Sequence, residues 1–134
     1  MKKLLIGVLA ILVLAACAGG LSASVEGQWK LVSFGLSSAQ VPAAPDVETS
    51  IEFNSDGNMT GNVGCNGFGG EYSIKGDQIE FGPVMSTMMY CEEIAEQESG
   101  TLAVFQETAS FVLDGDTLTI TSADGAMSIV LERK

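Results

Sequence analysis

The chain has 134 residues, of which 46% are hydrophobic, and a formal net charge of −11. One domain is expected at this length. The charge repels phosphate backbones and excludes nucleic acid as a partner, and the absence of histidine removes the commonest general base and the commonest metal ligand.

The chain opens on a short positive stretch, Met1-Lys2-Lys3, followed by an uncharged apolar run from Leu4 to Leu14. That run is shorter than the roughly 20 residues a spanning helix needs. It fits the apolar core of a secretory signal. Leu14-Ala15-Ala16-Cys17 then resembles a bacterial lipobox, in which small residues fit the peptidase groove and the thiol accepts a diacylglyceryl group. The expected organisation is a signal peptide over 1–16, a lipidated tether over 17–25 and one domain over 26–134. Acyl chains held together on Cys17 give stable anchoring. The tether AGGLSASV is small and flexible, and spans on the order of 15 Å as a coil. Loss of Lys2 and Lys3 leaves four Lys and Arg against 17 Asp and Glu, a mature charge of −13. The expected location is the cell envelope, on the extracytoplasmic side, and the outer membrane where the organism has one. A monomer is expected.

Strand signals dominate the remainder. Gln28–Phe34 alternates around Trp29, Leu31 and Ser33, and a second apolar set at Val32 and Phe34 predicts burial on both faces. Leu36–Glu48, with Pro42 and Pro45, reads as a loop. Ser50–Phe53 alternates, Asn54–Asn58 turns the chain, and Met59–Gly64 continues it. Glu71–Lys75, Gln78–Phe81, Phe111–Leu113, Leu118–Ile120 and Met127–Leu131 follow, with Gly76-Asp77, Asp114-Gly115 and Asp124-Gly125 as hairpin signals. Glu92–Ala109 differs. Leu102, Phe105 and Ala109 fall at helical spacing, which predicts a helix over about 93–109, weakened at Gly100 by roughly 1 kcal/mol. The fold class is therefore mostly β (α+β): an antiparallel sheet, barrel-like, with one packed helix.

Cys65 and Cys91 remain after Cys17. Two cysteines in an exported domain usually pair, and free thiols or a metal site are the alternatives. Two sulfurs without histidine make a poor zinc site. Gly64–Gly70 reads either as a turn or bulge set by a disulfide, or as a binding loop for an extended partner. Asn54–Asn58 faintly resembles a calcium loop, but Met59 and Cys65 stand where such a loop needs Gly and Glu. Met85, Met88 and Met89, with Met59, offer thioethers that suit Cu(I), although methionines more commonly fill a core. Glu92, Glu93, Glu96 and Glu98 form an acidic run expected to face solvent. No serine has a base to activate it.

Gly61-x-x-Gly64-Cys65-Asn66-x-Phe68-x-Gly70-x-Tyr72, followed by Thr87-x-Met89-x-Cys91, resembles the META domain of HslJ-type proteins. Gly27-x-Trp29-x-Leu31 is similar to the family's opening, and Asp114-Gly115-Asp116-x-Leu118-x-Ile120 with Asp124-Gly125 is similar to its closing hairpin. Tyr90 departs from the small residue often found there. The resemblance implies a small β-rich domain with one helix, often exported and lipidated, associated with heat, envelope stress and drug tolerance, with no catalytic residues to carry over; no cofactor or metal is expected. Cys65 and Cys91 map onto the family's cysteines.

The expected function is non-enzymatic: an anchored module that supports stress tolerance by binding a protein or envelope component. Gly64, Cys65, Asn66, Phe68, Gly70, Tyr72, Thr87 and Met89 are the candidate binding or motif residues. The alternatives are inhibition of a secreted or envelope enzyme, such as a protease or lysozyme, through Gly64–Gly70, and copper binding through the methionines.

Overall fold

The computed structural model describes residues 24–134. The signal segment, Cys17 and most of the tether lie outside the described residues.

Ten strands run in chain order: β1 (Gly27–Leu36), β2 (Ala39–Pro42), β3 (Ser50–Phe53), β4 (Asn58–Asn62), β5 (Gly67–Lys75), β6 (Gln78–Phe81), β7 (Met85–Ser86), β8 (Thr108–Asp114), β9 (Thr117–Thr121) and β10 (Met127–Arg133). A short 3-10 turn, Glu92–Ile94, and one helix, α1 (Ala95–Leu102), precede β8. Every strand pair is antiparallel. Eight strands close a ring in the order β1-β3-β4-β5-β6-β8-β9-β10, because β10 returns to pair with β1; β2 hangs on β1 and β7 on β5. Closure satisfies the backbone of the ring and, among the described residues, leaves these two short strands as edges.

Strand β1 explains its own mixed pattern. Its register against β10 shifts between Leu31 and Ser33, a bulge at Val32. The extra residue changes the phase of the alternation. Trp29, Leu31 and Phe34 therefore all turn inward, and Val32 is left 41% exposed. Of the two sets expected to be buried, Trp29, Leu31 and Phe34 are, and the burial expected for Val32 is corrected. The loop expected over 36–48 likewise contains β2, whose strand position is set by pairing Val41 and Gln40 to Phe34 and Gly35.

The ring is filled by Trp29, Ile51, Phe53, Met59, Ile79, Leu118, Ile120, Ile129 and Leu131, all under 2% exposed. Burying each such side chain stabilises by roughly 1.5–3 kcal/mol. The Asp-Gly and Gly-Asp signals sit in turns, with Gly57, Gly76, Gly115 and Gly125 all at positive φ.

The helix is shorter than the expected 93–109. Val104 and Phe105 donate to Thr101 and Leu102 carbonyls, three residues back, and Glu107 takes a left-handed φ of 53°. That residue turns the chain into β8, where Ala109 pairs with Ile79. The spacing of Leu102, Phe105 and Ala109 still serves the core, since Phe105 and Ala109 are buried in it and Leu102 packs against it. The helix and its exit close one end of the barrel. Phe105 meets Phe68 and Phe81 with ring centroids 5.7 and 5.2 Å away. Buried Gln97 accepts from Ala44 N and donates to Val63 O at 2.8 and 2.7 Å. At the opposite end Arg133 lies over the Trp29 ring at 4.2 Å and donates to the Ser24 and Glu26 carbonyls.

Gly100 weakens the isolated helix but admits the barrel wall: a Cβ there would stand 2.7 Å from Phe34 Cδ2. Gly100→Ala gains about 1 kcal/mol in propensity and loses about 1–3 kcal/mol to overpacking. The expected net is a lower melting temperature, measured by circular dichroism. A raised melting temperature would mean the Phe34 ring yields without cost.

Candidate functional site

The motif residues converge on one side chain. Asn66 follows the β4–β5 turn and is 4% exposed. Its amide nitrogen Nδ2 donates to Met89 O at 2.9 Å and to Glu98 Oε2 at 2.8 Å. Its oxygen Oδ1 accepts from Thr87 Oγ1 and from Met89 N, both at 2.8 Å. An asparagine side chain has two donor hydrogens and two acceptor lone pairs, so every one is in use. The Asn66 backbone N–H donates to the second carboxylate oxygen of Glu98 at 2.8 Å. One residue thus joins the barrel, the segment over 87–89 and α1.

The Cys65–Cys91 disulfide, with Cα atoms 6.0 Å apart, ties the same segment again, one residue before Asn66 and two beyond Met89. Thr87 N donates to Gly67 O, and Met85 and Ser86 pair with Gly69 and Phe68. The segment from 85 to 91 is therefore held at its start, middle and end.

Gly64 fits the turn for two reasons. Its φ is +120°, and a Cβ would fall 2.5 Å from Val47 Cγ1 and 2.7 Å from Ile94 Cδ1. Gly70 passes Pro83, whose carbonyl oxygen would stand 2.8 Å from a Cβ. Phe68 is buried in the core. Tyr72 donates its hydroxyl to Asn54 O at 2.6 Å. Burial pushes its pKa above the ordinary tyrosine range, and Glu26 and Asp56 add to this, so the hydroxyl keeps its proton at neutral pH.

Several expectations change. Gly67–Gly70 is strand, not loop: β4 pairs on one edge and β7 on the other. Met59 is fully buried and does not join Met85, Met88 and Met89. Glu98 is half-buried and accepts from Asn66, while Glu92, Glu93 and Glu96 are exposed as expected. Asn54–Asn58 is the expected hairpin turn, in which Asp56 Oδ1 accepts from Asn58 N. Sequence reasoning missed Gln97 and Glu98 as anchors. The signal was a polar residue at a helix position that faces the core.

The pinned segment carries an exposed apolar surface. Met85, Met88, Met89 and Tyr90 are 77%, 94%, 62% and 81% exposed. The Asn66 side chain has no donor or acceptor to spare and is spent on holding this segment in place.

A family model, the META domain, matches residues 22–134. The chain belongs to the META domain family. No curated relative matches it. This META domain is similar to a Burkholderia xenovorans protein solved by NMR, at TM-score 0.65 and 17% identity, covering 81% of this chain and 82% of that one. A second NMR structure gives TM-score 0.61 at 18% identity, covering 80% and 88%. A DUF4847 family protein from Bacteroides vulgatus ATCC 8482, a crystal structure, gives 0.58 at 16%, covering 81% and 93%. At these identities the likeness concerns the fold.

Asn66→Ala strands four partners and is expected to cost the META domain about 2–4 kcal/mol in urea unfolding. Asn66→Asp adds a carboxylate against Glu98. Repulsion raises the folded-state pKa of the pair, so that penalty is largest at neutral pH and shrinks as pH falls toward about 4. Equal losses for Asn66→Asp at both pH values would show that Glu98 does not face the substituted side chain.

Proposed function

We propose that this META domain is a lipid-anchored, non-enzymatic envelope module that supports heat and drug tolerance by binding a protein or envelope component. The observation that carries the binding reading is the contrast at one rim of the barrel. The backbone over 85–91 is held by Asn66 and the disulfide, yet its large apolar side chains project into solvent. Apolar surface of this kind marks interaction sites. The anchoring reading rests on the lipobox around Cys17 and the apolar run before it. The stress reading rests on the family resemblance.

Enzyme inhibition through Gly64–Gly70 draws no support from this geometry, because Gly67–Gly69 are paired on both edges and Phe68 is buried. Exposure lies on the neighbouring segment instead.

Labelling cells with an alkyne analogue of palmitate tests the anchor: wild type is expected to take the label and Cys17→Ala to lose it. Deletion is expected to slow growth and raise dye uptake under heat or antibiotic stress. Normal growth and permeability would remove the stress role while leaving the anchor to be judged by its label.

A further inference from the structure

The rim just described has a charge pattern that says what can cover it. The described residues contain four cations, Lys30, Lys75, Arg133 and Lys134. All are engaged, with Glu132, Glu80, Asp116 and Glu48 respectively. None lies between Phe81 and Phe111. Glu92, Glu93 and Glu96 are exposed directly after the apolar segment and have no cationic partner among the described residues.

We propose that Met85, Met88, Met89 and Tyr90 form a docking ridge for a protein whose contact surface is an apolar groove rimmed by lysine and arginine. The inference deepens the binding role proposed above and takes its orientation from the proposed anchor at Cys17.

Three observations select this occupant. Methionine and tyrosine are side chains that interfaces favour, methionine for its adaptable thioether and tyrosine for its large amphipathic ring. Their backbone is already fixed, so docking orders side chains and not a loop. The acidic flank supplies complementarity to a basic rim. The same flank disfavours the rival occupants. A second copy would bring acidic flanks together, and a bilayer with anionic headgroups would repel them. Position agrees with the charge: Ser24 and Glu26, where the chain enters the domain, are held by Arg133 at the barrel end opposite the helix and ridge. A domain tethered through that end presents the ridge away from its own membrane.

The test places a photo-crosslinking benzoylphenylalanine at Met88 or Tyr90 in the full-length chain in intact cells. Val112, 67% exposed on β8, serves as the control position. The expected result is a discrete adduct from both ridge positions and none from Val112. The captured protein, once purified, should bind the wild-type domain. Glu92→Lys/Glu93→Lys/Glu96→Lys should weaken that binding about tenfold or more, as should salt near 0.5 M. Met88→Ser/Tyr90→Ser should weaken it with an unchanged melting temperature, since these side chains lie outside the core. Adducts only to lipid or to a second copy, labelling equal to that at Val112, or an affinity indifferent to charge reversal would each overturn the proposal. The two readings separate cleanly: capture by a wild-type chain that takes no lipid label keeps the ridge and rejects the anchor and the orientation drawn from it, whereas label without capture keeps the anchor and rejects the ridge.

Discussion

Seven residues of β1 register against seven of β10, from Trp29 opposite Arg133 to Leu36 opposite Met127, and this ladder turns a meander into a ring. Each of the eight ring strands then has a partner on both sides. The same pairing brings the last strand beside the first, so Arg133 can cover Trp29 and hold the chain where it enters the domain. It also leaves an end to be closed, since a ring buries its interior only when its mouths are filled. The helix closes one mouth, and Gly100 permits this by letting Phe34 approach the helix backbone.

Asn66 converts that closed shape into a presented surface. Its position under the helix would make an unpartnered amide costly, and its four contacts satisfy it completely. The cooperative consequence is that segment, helix and barrel are placed by the same group. Polar side chains gathered by a sequence motif suggest chemistry at first sight. Here Asn66 is saturated by the gathered groups, and the large side chains that stand out in solvent are methionines and a tyrosine. The disulfide adds covalent closure next to the hydrogen-bonded node, which suits a domain whose interior is small.

Much of the fold was legible in the sequence. Alternation marked β3, β4, β6, β9 and β10, and the glycine turns marked the hairpins between them, because both signals are local. The β1 bulge was not legible: Val32 reads as buried until β10 sets the register. Strand β2 was hidden by two prolines and by the fact that a short edge strand needs its partner to exist. The helix end was misplaced because Leu102, Phe105 and Ala109 keep their helical spacing while the backbone changes form at Glu107. At the candidate site, the motif identified Asn66, Thr87 and Met89. It did not reveal Glu98, whose acidic neighbours disguised a half-buried carboxylate bonded to Asn66.

The sequence by itself determined the family, the strand-rich class, the acidic surface and the expectation of an exported, acylated Cys17, because motif spacing, composition and charge are properties of the chain in one dimension. Tertiary structure decided which of the singled-out residues are spent and which are offered. Asn66, Phe68, Tyr72 and Met59 are taken up inside, whereas Met85, Met88, Met89 and Tyr90 stand outside. The difference between one methionine and another is burial, and burial is fixed only when strands distant in sequence close around a common core.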